Sequence, residues 1–126
     1  MNTDRGPAPG ATASIDITVA EADTAIAQGS GDVPVLATPR VVALVEGAAC
    51  EAIAGTLSAE QTTVGVHIDL KHLKASAVGT DVRATATLHE VDGRMLTFQV
   101  EAYMGADVVA AGTHVRAIVT RAGFAD

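Results

Sequence analysis

The chain has 126 residues, the size of one domain, and 48 % of them are apolar, too many for a disordered chain. Fifteen acidic against eight basic residues give a net charge of −7, which argues against a nucleic-acid or anionic-membrane binder, since either needs a basic face. One cysteine, Cys50, excludes an intrachain disulfide framework and a CxxC zinc site. No run approaches the ~20 apolar residues of a transmembrane helix, and the N-terminus has no basic-then-apolar leader pattern. A cytoplasmic setting is therefore expected. Aromatic residues make up only 2 % of the chain, so the core must be built from Val, Ala, Leu and Ile.

Residues 1–13 are rich in Gly, Pro, Ala and Thr and read as a disordered tail, leaving 14–126 as the folded domain. Ser14–Ala20 alternates, with Ile15, Ile17 and Val19 on one side, and predicts a short strand with one buried face. Glu21–Gln28 allows one or two helical turns, and Gly29–Pro34 is loop. Thr38–Leu57 is the long helix: Thr38 is a good cap type, Pro39 suits the first turn, and Gly55 stands where the helix should end. Its apolar residues cover most of the circumference, so the helix should be buried on most sides. Four strands follow, Thr62–His72, Ala77–Val91, Arg94–Met104 and Val108–Arg121, with Asp92-Gly93 as a hairpin signal and Gly105-Ala106-Asp107 as a weaker turn. The expectation is an α+β fold: a five-stranded antiparallel sheet wrapped around one long buried helix, its last four strands a meander.

Three side chains interrupt this apolar pattern. Glu46 lies mid-helix among Ala, Val, Leu and Gly, where a carboxylate is costly unless paired. At ~100° per residue neither Arg40 nor Glu51 shares a stripe with it, although a solvated position stays open. His72 ends the row Val64, Val66, Ile68, Leu70, which alternation assigns to the core, while Thr63, Gly65, His67, Asp69 and Lys71 take the other face. A metal reading of His67, Asp69 and His72 fails because their side chains do not converge on a regular strand. A carboxylate and an imidazole meeting in a dry cleft make an acid–base or nucleophilic pair; the blander reading of His72 is a strand-end histidine capping the core. Thr38 is either a helix cap or a hydroxyl at the positive helix end. Cys50 is read as an inert buried thiol, and His89 as solvated. His114 and Arg116 share one face of the last strand, and Gly65, Gly79 and Gly112 mark bulges or close backbone approaches.

Three segments carry a resemblance: Val35-Leu36-Ala37-Thr38 with Glu46 eight residues on, Gly65-Val66-His67-Ile68-Asp69-Leu70-Lys71-His72, and Gly112-Thr113-His114-Val115-Arg116-Ala117-Ile118-Val119. In these the chain resembles the hotdog-fold thioesterases, most closely the fluoroacetyl-CoA thioesterase family. The resemblance implies a homodimer of hotdog subunits with the active site near the dimer interface, hydrolysing an acyl-CoA thioester without metal or organic cofactor. It carries over Thr38, Glu46 and His72 as catalytic residues, and Gly65 and Arg116 as substrate contacts. Relatives specialised for fluoroacetyl-CoA have lid phenylalanines before the threonine, and Gly29–Pro34 has none. A more general short-chain acyl-CoA hydrolase is therefore expected. The alternative is a non-catalytic hotdog domain that binds acyl-thioesters as a sensor or carrier, which the presence of both Glu46 and His72 disfavours. CoA is a polyanion and the chain is acidic, so local cations must hold its phosphates; Lys71, Lys74, Arg83, Arg94, Arg116 and Arg121 are the candidates. Thr38 and Glu46, eight helical residues apart, are separated by a rise of about 12 Å, too far for one thioester to touch both along a straight helix.

Overall fold

Thr38-Pro39 opens helix α2 (Thr38–Ala52) in the computed structural model, which describes residues 6–125. The cap position belongs to Ala37, and no side chain caps the helix. Its start is fixed from outside instead. The Asp23 carbonyl accepts from the Ala37 N–H at 2.9 Å, and the Asp23 carboxylate pairs with Arg40 Nε at 2.8 Å. Thr38 thus stands in the first turn with its hydroxyl free for a partner elsewhere. The helix stops at Ala52, five residues before Leu57, because the Ile53 and Ala54 N–H groups turn back to the Cys50 and Glu51 carbonyls. Gly55 follows at φ +83°, the left-handed conformation glycine adopts most readily.

The buried positions of α2, Val41, Leu44, Val45, Ala48 and Ala49, fall at i, i+3, i+4, i+7 and i+8. They form one apolar stripe rather than an all-round apolar surface. Ala43 and Cys50 are exposed. The reading of Cys50 as a buried thiol is therefore corrected: it lies off the stripe and faces outward.

Five strands curl around this stripe: β1 (Thr12–Thr18), β2 (Gln61–His72), β3 (Asp81–Asp92), β4 (Met95–Met104) and β5 (Asp107–Thr120). They make one antiparallel sheet in the order β1-β3-β4-β5-β2. This is the hotdog arrangement. Leu88, Leu96, Phe98 and Val100 meet Leu44, Val45, Ala48 and Ala49 in the main core. Two shorter pieces, a 3-10 turn at Glu21–Asp23 and α1 (Ala25–Gln28), lie between β1 and α2.

Two expectations change. The last four strands are not a simple meander, because β2 pairs with β5 and forms the far edge of the sheet while β3-β4-β5 alone meander. Alternation gives each strand a buried face but not its neighbour. The folded chain also starts before Ser14: the Gly10 N–H bonds the Leu88 carbonyl, and the Ala11 carbonyl accepts from the Leu88 N–H. Residues 1–5 of the expected tail lie outside the described residues.

Strands β2 and β5 approach so closely at Gly112 that a Cβ there would collide with the Asp69 carbonyl. A main-chain oxygen cannot swing aside as a side chain can. Gly112→Ala is expected to cost at least the ~1–3 kcal/mol of an overpacked core site, read from the urea midpoint at unchanged slope. A wild-type midpoint would show that the strands part without cost.

Candidate active site

Strand β2 carries one residue more than β5 opposite it. Gly65 pairs with Arg116 and His67 with Val115, leaving Val66 as a bulge. A bulge reverses the parity of a strand. Directly opposed residues share a face, and Arg116, His114 and Ala110 are buried, so their partners Gly65, Ile68 and His72 lie on the inner face. The inner row is thus Thr63 and Gly65, then Ile68, Leu70 and His72. Regular alternation assigned Val64 inward and Gly65 outward, and the bulge overturns that half of the reading.

The inner row feeds two clusters. In the first, Thr38 Oγ1 lies 2.7 Å from His72 Nδ1, joining the first turn of α2 to the end of β2. His72 Nε2 is buried without a hydrogen-bond partner among the described residues. Burial lowers the pKa of this imidazole, and the nearby Lys74 backbone partly opposes the shift. A cavity of about 360 Å3 opens beside the pair, walled by Ser30, Gly31, Asp32 and Val33 on one side and Leu73 and Lys74 on the other. The aromatic-free segment before Thr38 therefore borders this cavity. A larger recess, about 850 Å3, lies by Asp16, Arg83 and Tyr103 and shares no residue with either cluster.

The second cluster surrounds Glu46. Its Oε1 is 3.5 Å from Arg116 Nη1. The Arg116 side chain is 8 % exposed and that of Glu46 38 %. Arg116 also donates from Nε to Thr63 Oγ1 at 2.9 Å and from Nη2 to the Thr63 carbonyl at 3.1 Å. Gly65 makes room for this meeting: a Cβ there would sit 3.2–3.4 Å from His114, Glu46 and Arg116. His114, 1 % exposed, completes the cluster with Nε2 at 3.1 Å from Arg116 Nη1 and Nδ1 at 2.7 Å from the His67 carbonyl. Burial is the main cause lowering the His114 pKa.

Among the described residues no hydrogen bond joins Glu46 to His72. The structure brings Thr38 to His72, and Glu46 to Gly65 and Arg116, as two separate groups. Arg116, counted among the cations for CoA phosphates, is buried and bonded to protein. Of the others, Arg83 pairs with Asp16 at 2.7 Å and Lys74 with Asp107 at 3.3 Å. Thr63 and His114 are not among the site residues expected from sequence; the signals for His114 are its place in the Gly112–Val119 segment and its position two residues before Arg116 on one strand face.

Residues 19–122 match the family described as fluoroacetyl-CoA-specific thioesterase. The chain belongs to this family. A fluoroacetyl-CoA thioesterase from Streptantibioticus cattleyicolor is 38 % identical over 85 residues, 68 % of this chain. That stretch spans 61 % of the relative's length. Among solved structures, a threonine-to-serine variant of the fluoroacetyl-CoA enzyme in complex with acetyl-CoA superposes with a TM-score of 0.88 at 29 % identity, covering 94 % of both chains. A thioesterase superfamily member from Thermus thermophilus gives 0.86 at 25 % identity, covering 94 % of this chain and 88 % of its own.

The buried His114 and the half-buried His72, both with pKa values lowered by burial, make a stability prediction. The unfolded chain takes up protons near the ordinary value of 6.5, while the folded chain resists them. This stability is present above that pH and is lost as the pH falls through the folded values. Asp23, lowered by the Ala20 N–H and Arg40, gives way only below 3.8. The Tm is expected to fall between about pH 7.5 and pH 5, and to fall less steeply in His114→Gln. Parallel slopes in the two proteins would exclude His114 as a source.

Proposed function

We propose that the protein hydrolyses short-chain acyl-CoA thioesters to a carboxylic acid and free CoA, as a homodimer in the cytoplasm, where CoA thioesters are made and held by their charge. The family membership supports the reaction class, and the Thr38–His72 pair beside a cavity is the observation that carries it. Glu46 attacks the thioester carbonyl or takes a proton from the attacking water. As the imidazolium, His72 protonates the departing thiolate from its otherwise unpartnered Nε2 and then regains a proton from water, and Thr38 holds the ring through Nδ1. Lys71, Arg94 and Arg121, which make no ion pair among the described residues, are the cations left for the CoA phosphates.

The separation of the two clusters supports the dimer. Thr38 and Glu46 are a helical rise of about 12 Å apart, so one thioester does not reach both within a subunit. Strand β2 is an unpaired edge with Val66 51 % and Ile68 36 % exposed, a surface that proteins rarely leave open. Antiparallel pairing of β2 with its two-fold mate about Asp69, with the Val66 bulge passed over, sets Gly65 of one subunit opposite His72 of the other. Each site then takes Thr38 and His72 from one chain and Glu46 from its partner.

Glu46→Gln and His72→Ala are each expected to reduce kcat at least ~100-fold while leaving the fold intact. Mixing the two inactive proteins under exchange is expected to restore about a quarter of the wild-type rate, because half the dimers are mixed and each holds one intact site of two. No recovery in dimers shown to have exchanged would assign both residues to one subunit. A monomer in light scattering would remove the composite site, and tight acyl-CoA binding with no thiol release on any substrate would favour a sensor.

The segment bordering the cavity sets the expected substrate range. With Gly29–Pro34 in place of aromatic walls, discrimination between acetyl- and fluoroacetyl-CoA should stay within the ~1–3 kcal/mol a plain pocket offers for a small group. Propionyl- and butyryl-CoA should be accepted. The check is kcat/KM for all four, corrected for uncatalysed hydrolysis. A fluoroacetyl preference of several orders of magnitude would place selectivity in Glu46, His72 and the side chains touching them.

A further inference from the structure

His114 is buried deeper than either Glu46 or His72, and the proposed reaction gives it no task. Its surroundings fix its chemical state. Nδ1 faces the His67 carbonyl at 2.7 Å, and a carbonyl only accepts, so Nδ1 carries the proton. Nε2 faces Arg116 Nη1 at 3.1 Å, and a guanidinium only donates, so Nε2 is bare. One neutral tautomer satisfies both contacts. Protonation would aim an N–H at an N–H. The ring also stacks on Phe98, with centroids 6.3 Å apart and planes 29° from parallel, which opposes a flip. The charged or titratable groups around it are Glu46 from α2, His67 from β2 and Arg116 on its own strand.

His114 is therefore a rigid acceptor set against Arg116. The guanidinium is held along one edge by Thr63, through Nε and Nη2, and at Nη1 by His114. Among the described residues Glu46 is the one other group within reach of Nη1, at 3.5 Å. With both ends of the fork held in this way, the guanidinium is fixed in place, and its charge stays beneath the Glu46 carboxylate. Gly65 keeps the space above it open.

We propose that His114 is a positioning residue for thioester hydrolysis: as the neutral Nδ1–H imidazole it locks Arg116 against Glu46 and so fixes where the reacting carboxylate points. This rests on the reading of Glu46 as the reacting group. Because His114 acts through Arg116, the effect belongs to the chemical step rather than to CoA binding.

The test uses two substitutions that each keep half of the ring's hydrogen bonding. His114→Gln can place an amide oxygen near Nε2 and retain the acceptor for Arg116. His114→Asn reaches only the Nδ1 position, keeping the bond to the His67 carbonyl and losing the acceptor. His114→Asn is expected to lower kcat about ten- to a hundredfold with KM little changed, and His114→Gln to recover most of that loss. The double variant His114→Asn, Arg116→Lys should be no slower than Arg116→Lys alone. In the unsubstituted protein, ring 15N shifts should show a protonated Nδ1 and a bare Nε2 for His114 at neutral pH, a reading that depends on no variant folding. Wild-type kcat in His114→Asn, equal losses in the Asn and Gln variants, additive losses in the double variant, or a protonated Nε2 would each overturn the proposal. Glu46→Gln measured alongside separates the two ideas: a wild-type rate there removes Glu46 and the relay together, whereas a slow Glu46→Gln with a fast His114→Asn overturns the relay alone.

Discussion

Because β2 holds one residue more than β5 opposite it, at Val66, the inner face of the strand passes from odd-numbered to even-numbered residues between Gly65 and Ile68. Without that bulge, continued alternation from His72 would turn Val64 and Val66 onto the helix and carry Gly65 to the outer face. The place where Glu46 now meets Arg116 would be filled by valine. The bulge thus gives one strand a second identity at its midpoint, an apolar wall ending in His72 on one side and a polar seat for Glu46 on the other. Gly65 is at that junction because a Cβ there would press on three side chains at once.

Burying Arg116 is the energetic counterpart of this geometry. A desolvated guanidinium is tolerated only when its donors are matched, and here each of its three nitrogens has a partner, from the hydroxyl and carbonyl of Thr63, the His114 ring and the Glu46 carboxylate. Two of those partners stand on strands and one on the helix. The cluster therefore ties α2 to the β2–β5 edge at the point where the core is least apolar. The same demand for matched donors draws the histidine into the interior as a neutral acceptor.

The two polar clusters lie at opposite ends of one helical span. Thr38 sits at the helix start because Asp23 anchors that turn, and Glu46 sits two turns further along. A single subunit presents half of the proposed reaction at each end. The exposed β2 edge carries both halves, on Gly65 and His72, and this common strand gives the proposed dimer its logic. The edge that would be an aggregation hazard in a monomer is, in the proposed dimer, also the surface across which the halves face one another.

Much followed from local pattern. Apolar alternation located all five strands to within a few residues and Pro39 marked the start of the long helix, because these features depend only on neighbours along the chain, and three short segments, around Thr38 with Glu46, Gly65–His72 and Gly112–Val119, carried the resemblance to the family. The sequence did not determine which strand pairs with β2, since alternation specifies a face and not a partner. Nor did it determine the bulge, because one extra residue is counted only against the strand opposite. Cys50 looked buried because residues around it are apolar, and its exposure depends on where the stripe Val41–Ala49 meets the sheet. His114 and Thr63 looked ordinary because their roles arise from contacts with Arg116, 2 and 53 residues away. Only the tertiary fold, by closing β2 onto β5 and both onto α2, decides which polar groups share a buried space and must satisfy one another there.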